Sequence, residues 1–214
     1  MSRLLIKPDS KLGKIHNISP EKAGWGYVGF DLYLLEEGQS IRQETSDREV
    51  ILVLVEGHAE IIADDKKFGV LGDRLDVFEK SPPHCVYVSS ETNWFVDPTT
   101  KCTLAVCSAP CTKKYEVTQV GPTGIELTAR GKGTNKRYIN NIAMEDRDVA
   151  SSLLVTEVFT PSGHWSSYPP HRHDEDDFPN MTYLEETYYH RLNPTKGYGH
   201  QRVFTEDGSL DETM

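Results

Sequence analysis

His171 and His173 stand one residue apart, directly after Pro169-Pro170 and directly before the acidic run 174–177. The prolines fix φ and bias their predecessors toward extended backbone. In an extended chain residues i and i+2 face the same side, so the two imidazoles project together. Two imidazoles on one face are half of a metal site, and a carboxylate from a neighbouring segment completes it. Leu184-Glu185-Glu186-Thr187-Tyr188-Tyr189-His190 offers one from a run with strand propensity. Spacing alone leaves Glu185 and Glu186 both open. Two neutral histidines and one carboxylate, with positions left for a ligand, suit Zn, Fe(II) or Mn. The plainer alternative is a His-x-His on an ordinary exposed strand beside a solvated acidic loop.

Other reactive residues carry less. Cys85, Cys102, Cys107 and Cys111 form no Cys-x-x-Cys pair and match no standard zinc spacing, so they read as reduced thiols. Gly131-Lys132-Gly133-Thr134 lacks the G-x-x-x-x-G-K-[ST] pattern of a phosphate loop. His84, in Pro82-Pro83-His84-Cys85, follows no His-x-His and reads as structural.

The elements that must position the histidines are strands. Segments 27–35, 49–55, 59–63, 74–78, 85–88 and 102–107 are apolar or β-branched and are separated by turn residues such as Gly57 and Asp64-Asp65. The run 49–55 is continuous, as in a strand buried on both faces. Only 143–152 hints at a helix. From about 109 to 141 the chain turns Gly- and Lys-rich and reads as a passage between two units. Laying Gly163 on Gly38 places 155–159 over 30–34, a weak internal repeat that implies two similar β units. The predicted fold class is therefore all-β, a sandwich or barrel in two copies.

Composition closes off several classes. The chain has 214 residues, with 23 Lys+Arg against 33 Asp+Glu and a formal charge of −10. From His171 onward ten acidic residues face four basic ones. Such a balance offers no basic stripe for nucleic acid. The longest aliphatic run, 50–55, is far short of the ~20 residues of a membrane span. The N-terminal apolar stretch is too short for a signal peptide, which gives a cytoplasmic expectation with no membrane partner. A homo-oligomer is compatible with this composition.

Beyond these spacings, the chain resembles a known family. His-x-His followed by Glu in a two-unit β chain is similar to the first metal motif of the cupins. Trp165-Ser166-Ser167-Tyr168-Pro169-Pro170-His171-Arg172-His173-Asp174, Leu184-Glu185-Glu186-Thr187-Tyr188-Tyr189-His190-Arg191 and Gln201-Arg202-Val203-Phe204-Thr205 resemble the 5-deoxy-glucuronate isomerases of bacterial myo-inositol catabolism. Gly133-Thr134-Asn135-Lys136-Arg137 and Asn141-Ile142 do so upstream. These are bicupins related to the 5-keto-4-deoxyuronate isomerases. The resemblance implies two tandem jelly-roll barrels: a metal-free N-terminal cupin over 1–112, a connection over 113–152, and a metal-binding cupin over 153–214. It places the ligands on His171, His173 and Glu186, the last preferred to Glu185 because it directly precedes Thr187-Tyr188. Family members continue into strands bearing a Gly-Tyr-His-Pro word whose His is the expected fourth ligand. This sequence ends at Met214, so the second barrel is expected to be short of its closing strands.

The implied reaction is an aldose–ketose isomerisation of 5-deoxy-glucuronate, a sugar acid, to 5-dehydro-2-deoxy-gluconate. A divalent metal, with Zn expected and Mn or Fe as alternatives, would stabilise the enediolate. If Glu186 points inward, Tyr188 and His190 share its face and become the candidates for proton transfer. Barrel lining is the plainer role for Tyr188. Arg202 suits the substrate carboxylate by bidentate pairing, as do Lys136 and Arg137 from the connection. Two rivals remain at this level: an Fe(II)-dependent cupin dioxygenase and a non-catalytic sugar-binding cupin.

Overall fold

A computed structural model describes residues 4–214. Its strands, in chain order, are β1 (Gly13–Ile18), β2 (Gly29–Leu35), β3 (Ile41–Glu44), β4 (Arg48–Glu56), β5 (Ala59–Ala63), β6 (Lys66–Leu71), β7 (Cys85–Val88), β8 (Asn93–Pro98), β9 (Cys102–Pro110), β10 (Thr118–Gly121), β11 (Leu127–Arg130), β12 (Arg137–Ala143), β13 (Val155–Phe159), β14 (Arg202–Phe204) and β15 (Asp211–Thr213). They form a six-stranded sheet β1-β2-β9-β4-β7-β10, a four-stranded sheet β3-β8-β5-β6, a three-stranded sheet β11-β12-β13 and a β14–β15 ribbon. All ladders are antiparallel. The chain is all-β, and this architecture is consistent with a cupin.

The apolar run 50–55 explains why the large sheet is central. Successive side chains of a strand alternate faces, and β4 is apolar on both. Val50, Leu52 and Leu54 join Ile61, Val86, Trp94, Val96 and Leu104 in a core against the four-stranded sheet. Ile51, Val53 and Val55 join Leu32, Tyr87, Ile142 and Leu153 in a second core on the opposite face. Each such side chain contributes about 1.5–3 kcal/mol by leaving water. The second core is where β12 and the segment before β13 dock onto the first sheet. The stretch read as a connection, 113–152, is thus built of strands: β10 edges the large sheet, while β11 and β12 form most of the small one.

Polar links reinforce this junction. Arg74, 2% exposed along its side chain, pairs with Glu157 of β13 at 2.6 and 3.0 Å, and Asn140 donates to the same carboxylate at 2.9 Å. Fully buried Glu49 accepts from the Ser151 and Ser152 amides and from the Tyr87 hydroxyl.

Three local expectations differ from the structure. Segment 74–78 is not a strand. Asp76 accepts from the Phe78 amide while Glu79 accepts from the Asp76 amide, a reciprocal cap that winds Val77–Glu79 into a single 3-10 turn. The helix hinted at 143–152 shrinks to a turn over Glu145–Arg147, ended by Asp148 at φ 49°. Residues 184–190 are extended but belong to no ladder. The two glycines aligned by the internal repeat do share a conformation. Gly38 (φ 75°) and Gly163 (φ 76°) each occupy the third position of a turn closed by Gln39 N–H to Glu36 and His164 N–H to Pro161.

Candidate metal centre

Pro169 and Pro170 donate no N–H, and residues 166–169 bend rather than run extended as expected, so the chain reaches His171 outside any ladder. What holds it is contact with neighbouring loops. The Trp165 amide donates to Thr134 O at 2.8 Å, and the Asn135 side chain donates to Tyr168 O. Beyond the histidines, the acidic run 174–177 turns the chain back through Asp177 and Met181. The Leu184 amide then donates to His173 O at 3.0 Å. That bond and the Tyr183 amide on Asp176 Oδ1 at 2.9 Å lay 184–186 beside 171–173.

His171, His173 and Glu186 consequently converge, with one ligand atom from each lying within 4.8 Å of the other two. Glu186 Oε1 is 3.5 Å from His171 Nε2 and 3.9 Å from His173 Nε2. Donors about 2.1 Å from a common ion stand roughly 3.0–3.5 Å from one another, so small rotations suffice.

The second polar atom of each donor decides whether the set fits a cation. His173 Nδ1 donates to Thr182 O at 2.9 Å, which leaves the Nε2 lone pair facing the cluster. His171 Nδ1 lies 3.3 Å from Ser167 Oγ, whose own proton goes to Pro169 O at 3.3 Å, so that oxygen can accept from Nδ1 and leave the lone pair on Nε2. Glu186 Oε2 accepts from Tyr188 O–H at 2.9 Å, leaving Oε1 for the histidines. Each donor thus has an oriented outer partner, the arrangement that fixes tautomer and direction at metal sites. The residues fit a divalent ion with nitrogen and oxygen ligands.

Glu185 lies on the other side of the segment. Its carboxylate accepts from the Gly26, Tyr27 and Val28 amides at 2.7, 2.8 and 2.9 Å. Burial opposes its charge, yet these donors and Arg48 outweigh that and hold its pKa below the usual carboxylate range. Its acceptor capacity is already engaged, whereas Glu186 faces the imidazoles.

Tyr188 and His190 lie with Glu186. Their rings stack at 6.0 Å with 5° between planes. Burial, then the Glu186 charge and the bond donated to it, push the Tyr188 phenol well above its ordinary pKa. His190 Nε2 meets Gln201 Oε1 at 3.1 Å, so that nitrogen carries the proton and Nδ1 the lone pair. Arg202, next to Gln201, is held bidentate by Asp211 at 2.7 and 2.8 Å through Nε and Nη2, which leaves Nη1 outside that pair. Lys136 Nζ lies 5.4 Å above the Tyr138 ring, and Arg137 donates to Asn135 O at 3.2 Å.

His84 uses both ring nitrogens elsewhere, at 2.7 Å from Asp73 Oδ2 and 3.3 Å from the Gln119 amide. The four cysteines are unpaired, and Cys85 and Cys102 are fully buried. No described helix is long and apolar enough to cross a membrane. Sequence reasoning did not reach Ser167, Thr182 or Gln201 as partners of the site. They act through one backbone oxygen and two short polar side chains, which carry no spacing signal.

Comparison with known proteins places this geometry in context. The KduI/IolB family profile matches residues 4–214. A 5-deoxy-glucuronate isomerase of Geobacillus kaustophilus is 47% identical over 216 residues, spanning 100% of this chain and 78% of that protein. The namesake enzyme of Bacillus subtilis strain 168 is 37% identical, spanning 100% of this chain and 81% of its own. The crystal structure of an IolB-like protein from Salmonella typhimurium LT2 superposes with a TM-score of 0.96 at 46% identity, covering 100% of this chain and 81% of that one.

Proposed function

This chain belongs to the KduI/IolB family, and from that membership we infer that it is an enzyme, an aldose–ketose isomerase of sugar-acid metabolism acting on 5-deoxy-glucuronate. Relatives 37–48% identical along the whole chain carry this reading. The product assigned is 5-dehydro-2-deoxy-gluconate.

For the site, we assign His171, His173 and Glu186 as ligands of a divalent metal, with Zn the first choice and Mn or Fe the alternatives. The convergence of the three donors, each with its second polar atom already held, supports this assignment. A metal bound there would supply Lewis-acid stabilisation of the enediolate charge, with no change of oxidation state required.

The residues do the rest. Glu186 is oriented by Tyr188. His190 presents a lone pair at Nδ1 and is the assigned base that takes the proton from C2 and returns it to C1. Tyr188 keeps its single O–H on Glu186 Oε2 and so holds that carboxylate toward the imidazoles. Arg202 is assigned to the substrate carboxylate through its remaining Nη1, while Asp211 steadies the other two nitrogens.

We read the frame as two tandem cupin-type barrels over 1–112 and 153–214, bridged by 113–152. The matched turns at Gly38 and Gly163 support this division. Four unpaired cysteines suit a cytosolic setting.

The test is the double variant His171→Ala/His173→Ala. It should lose bound divalent metal and isomerisation while the near-ultraviolet signal of the Trp94 core persists. Unchanged metal stoichiometry would overturn the ligand assignment. Oxygen uptake with substrate would instead favour a dioxygenase.

A further inference from the structure

The segment 184–191 belongs to no ladder, yet its side chains alternate as a strand's would. Glu186, Tyr188 and His190 face the metal cluster. Glu185, Tyr189 and Arg191 face the N-terminal unit. Besides the Glu185 grip, Tyr189 packs 6.3 Å from His16 and 6.4 Å from Phe30. Arg191 Nη1 meets Glu56 Oε1 at 2.9 Å, and Thr103 holds the same oxygen at 3.0 Å. A one-residue slip would turn every side chain to the wrong side. With no ladder to set the register, these contacts must set it.

Glu185 makes the strongest of them. Three N–H donors on one carboxylate are charge-assisted bonds with fixed direction. The loop that supplies them is itself pinned, because Arg48 of β4 donates to Tyr27 O and, at 3.0 Å, to Ser108 O of β9. A continuous path of hydrogen bonds therefore runs from the central sheet through Arg48 and Tyr27 to Glu185, the residue beside Glu186. We propose that Glu185 is a positioning residue: the 26–28 amides grip its carboxylate and thereby aim Glu186, Tyr188 and His190 into the site. This rests on the ligand assignment above and adds a role for the N-terminal unit within it.

The experiment uses the full chain, stripped of metal, as wild type, Glu185→Gln and Glu185→Ala. Zn2+ alone is titrated in competition with a chromophoric chelator, well below the melting point, and amide hydrogen exchange is followed in parallel. Loss of an outer partner at metal sites costs about 10–100-fold in affinity. A rise of that size in Kd is expected for Glu185→Ala, with Glu185→Gln between it and wild type. The Gly26, Tyr27 and Val28 amides should exchange faster, and so should Leu184, whose bond to His173 O reports the seating of the segment. A merely structural role would lower the melting point and leave Kd unchanged.

Equal Kd in all three chains, or unchanged Leu184 exchange in the variants, overturns the proposal. Should the Ala variant not fold, the isosteric Gln variant decides alone. A wild-type chain that binds no Zn2+ would overturn the ligand assignment instead, and Leu184 exchange would still judge the grip.

Discussion

Glu157→Ala removes the acceptor of a guanidinium that has little other recourse. Arg74 is 2% exposed and Glu157 16% exposed along their side chains. The guanidinium donates to Val55 O at 2.8 Å and Ser81 O at 2.7 Å, but Glu157 is the carboxylate that pairs with its charge. Removing one member of such a pair leaves an uncompensated buried charge, which costs about 3–5 kcal/mol. The Asn140 amide loses its acceptor as well. For a chain of this size each kcal/mol moves Tm by about 2–4 °C, so the melting point should fall by about 6–20 °C. Thermal melting followed by circular dichroism measures this. The double variant Arg74→Met/Glu157→Leu should recover most of the loss, since an apolar pair of similar volume often replaces a buried ion pair without cost. A drop below about 2 °C in the single variant would mean that water reaches Arg74 and that the pair does not hold β13 to the first sheet. Failure of the double variant to recover would mean that hydrogen-bond geometry, rather than charge, is what matters there.

Further expectations follow from the same contacts. Tyr188→Phe deletes the O–H donated to Glu186 and should lower kcat/KM by about 10–100-fold with little change in melting, read by steady-state kinetics beside a thermal scan. Leu52→Ala opens the core beneath the four-stranded sheet and should cost about 2–5 kcal/mol in urea unfolding, whereas Val70→Ala, at a site 61% exposed, should stay within about 0.5 kcal/mol. Burial raises the Cys85 thiol, and burial together with the Glu56 charge raises Cys102 to about 12. Both should ignore Ellman's reagent in the native state at pH 8 and react on unfolding. Because the unfolded thiols ionise near about 8.5 while the folded ones stay protonated, their contribution is full below that pH and is lost as pH climbs toward 12. Urea midpoints at pH 7 and pH 10 test the sign, and a higher midpoint at pH 10 would contradict it.

Much of this protein is legible in its residues taken in order. Continuous apolarity over 50–55 required a strand covered on both faces, and β4 has a core on each. His171 and His173 do lie together, with ring centroids 5.2 Å apart, although residues 166–169 bend where their prolines were expected to hold the chain extended. Local chemistry also misled where a polar side chain outbid β propensity, as in the Asp76 and Glu79 cap that winds 77–79 into a turn. Spacing could not choose between Glu185 and Glu186, since adjacent residues of an extended chain differ only in the side they face. That side is set by the amides of residues 26–28, about 160 positions upstream, and by Tyr189 and Arg191 packing on the N-terminal unit. The outer partners Ser167, Thr182 and Gln201 lie only four, nine and eleven residues from the histidines they hold, yet they meet them only once the intervening loops turn back. The sequence by itself determined which donor atoms were available and which way short stretches of backbone ran; only tertiary structure decided which of those donors meet, because hydrogen bonds and packing across long chain separations select the register.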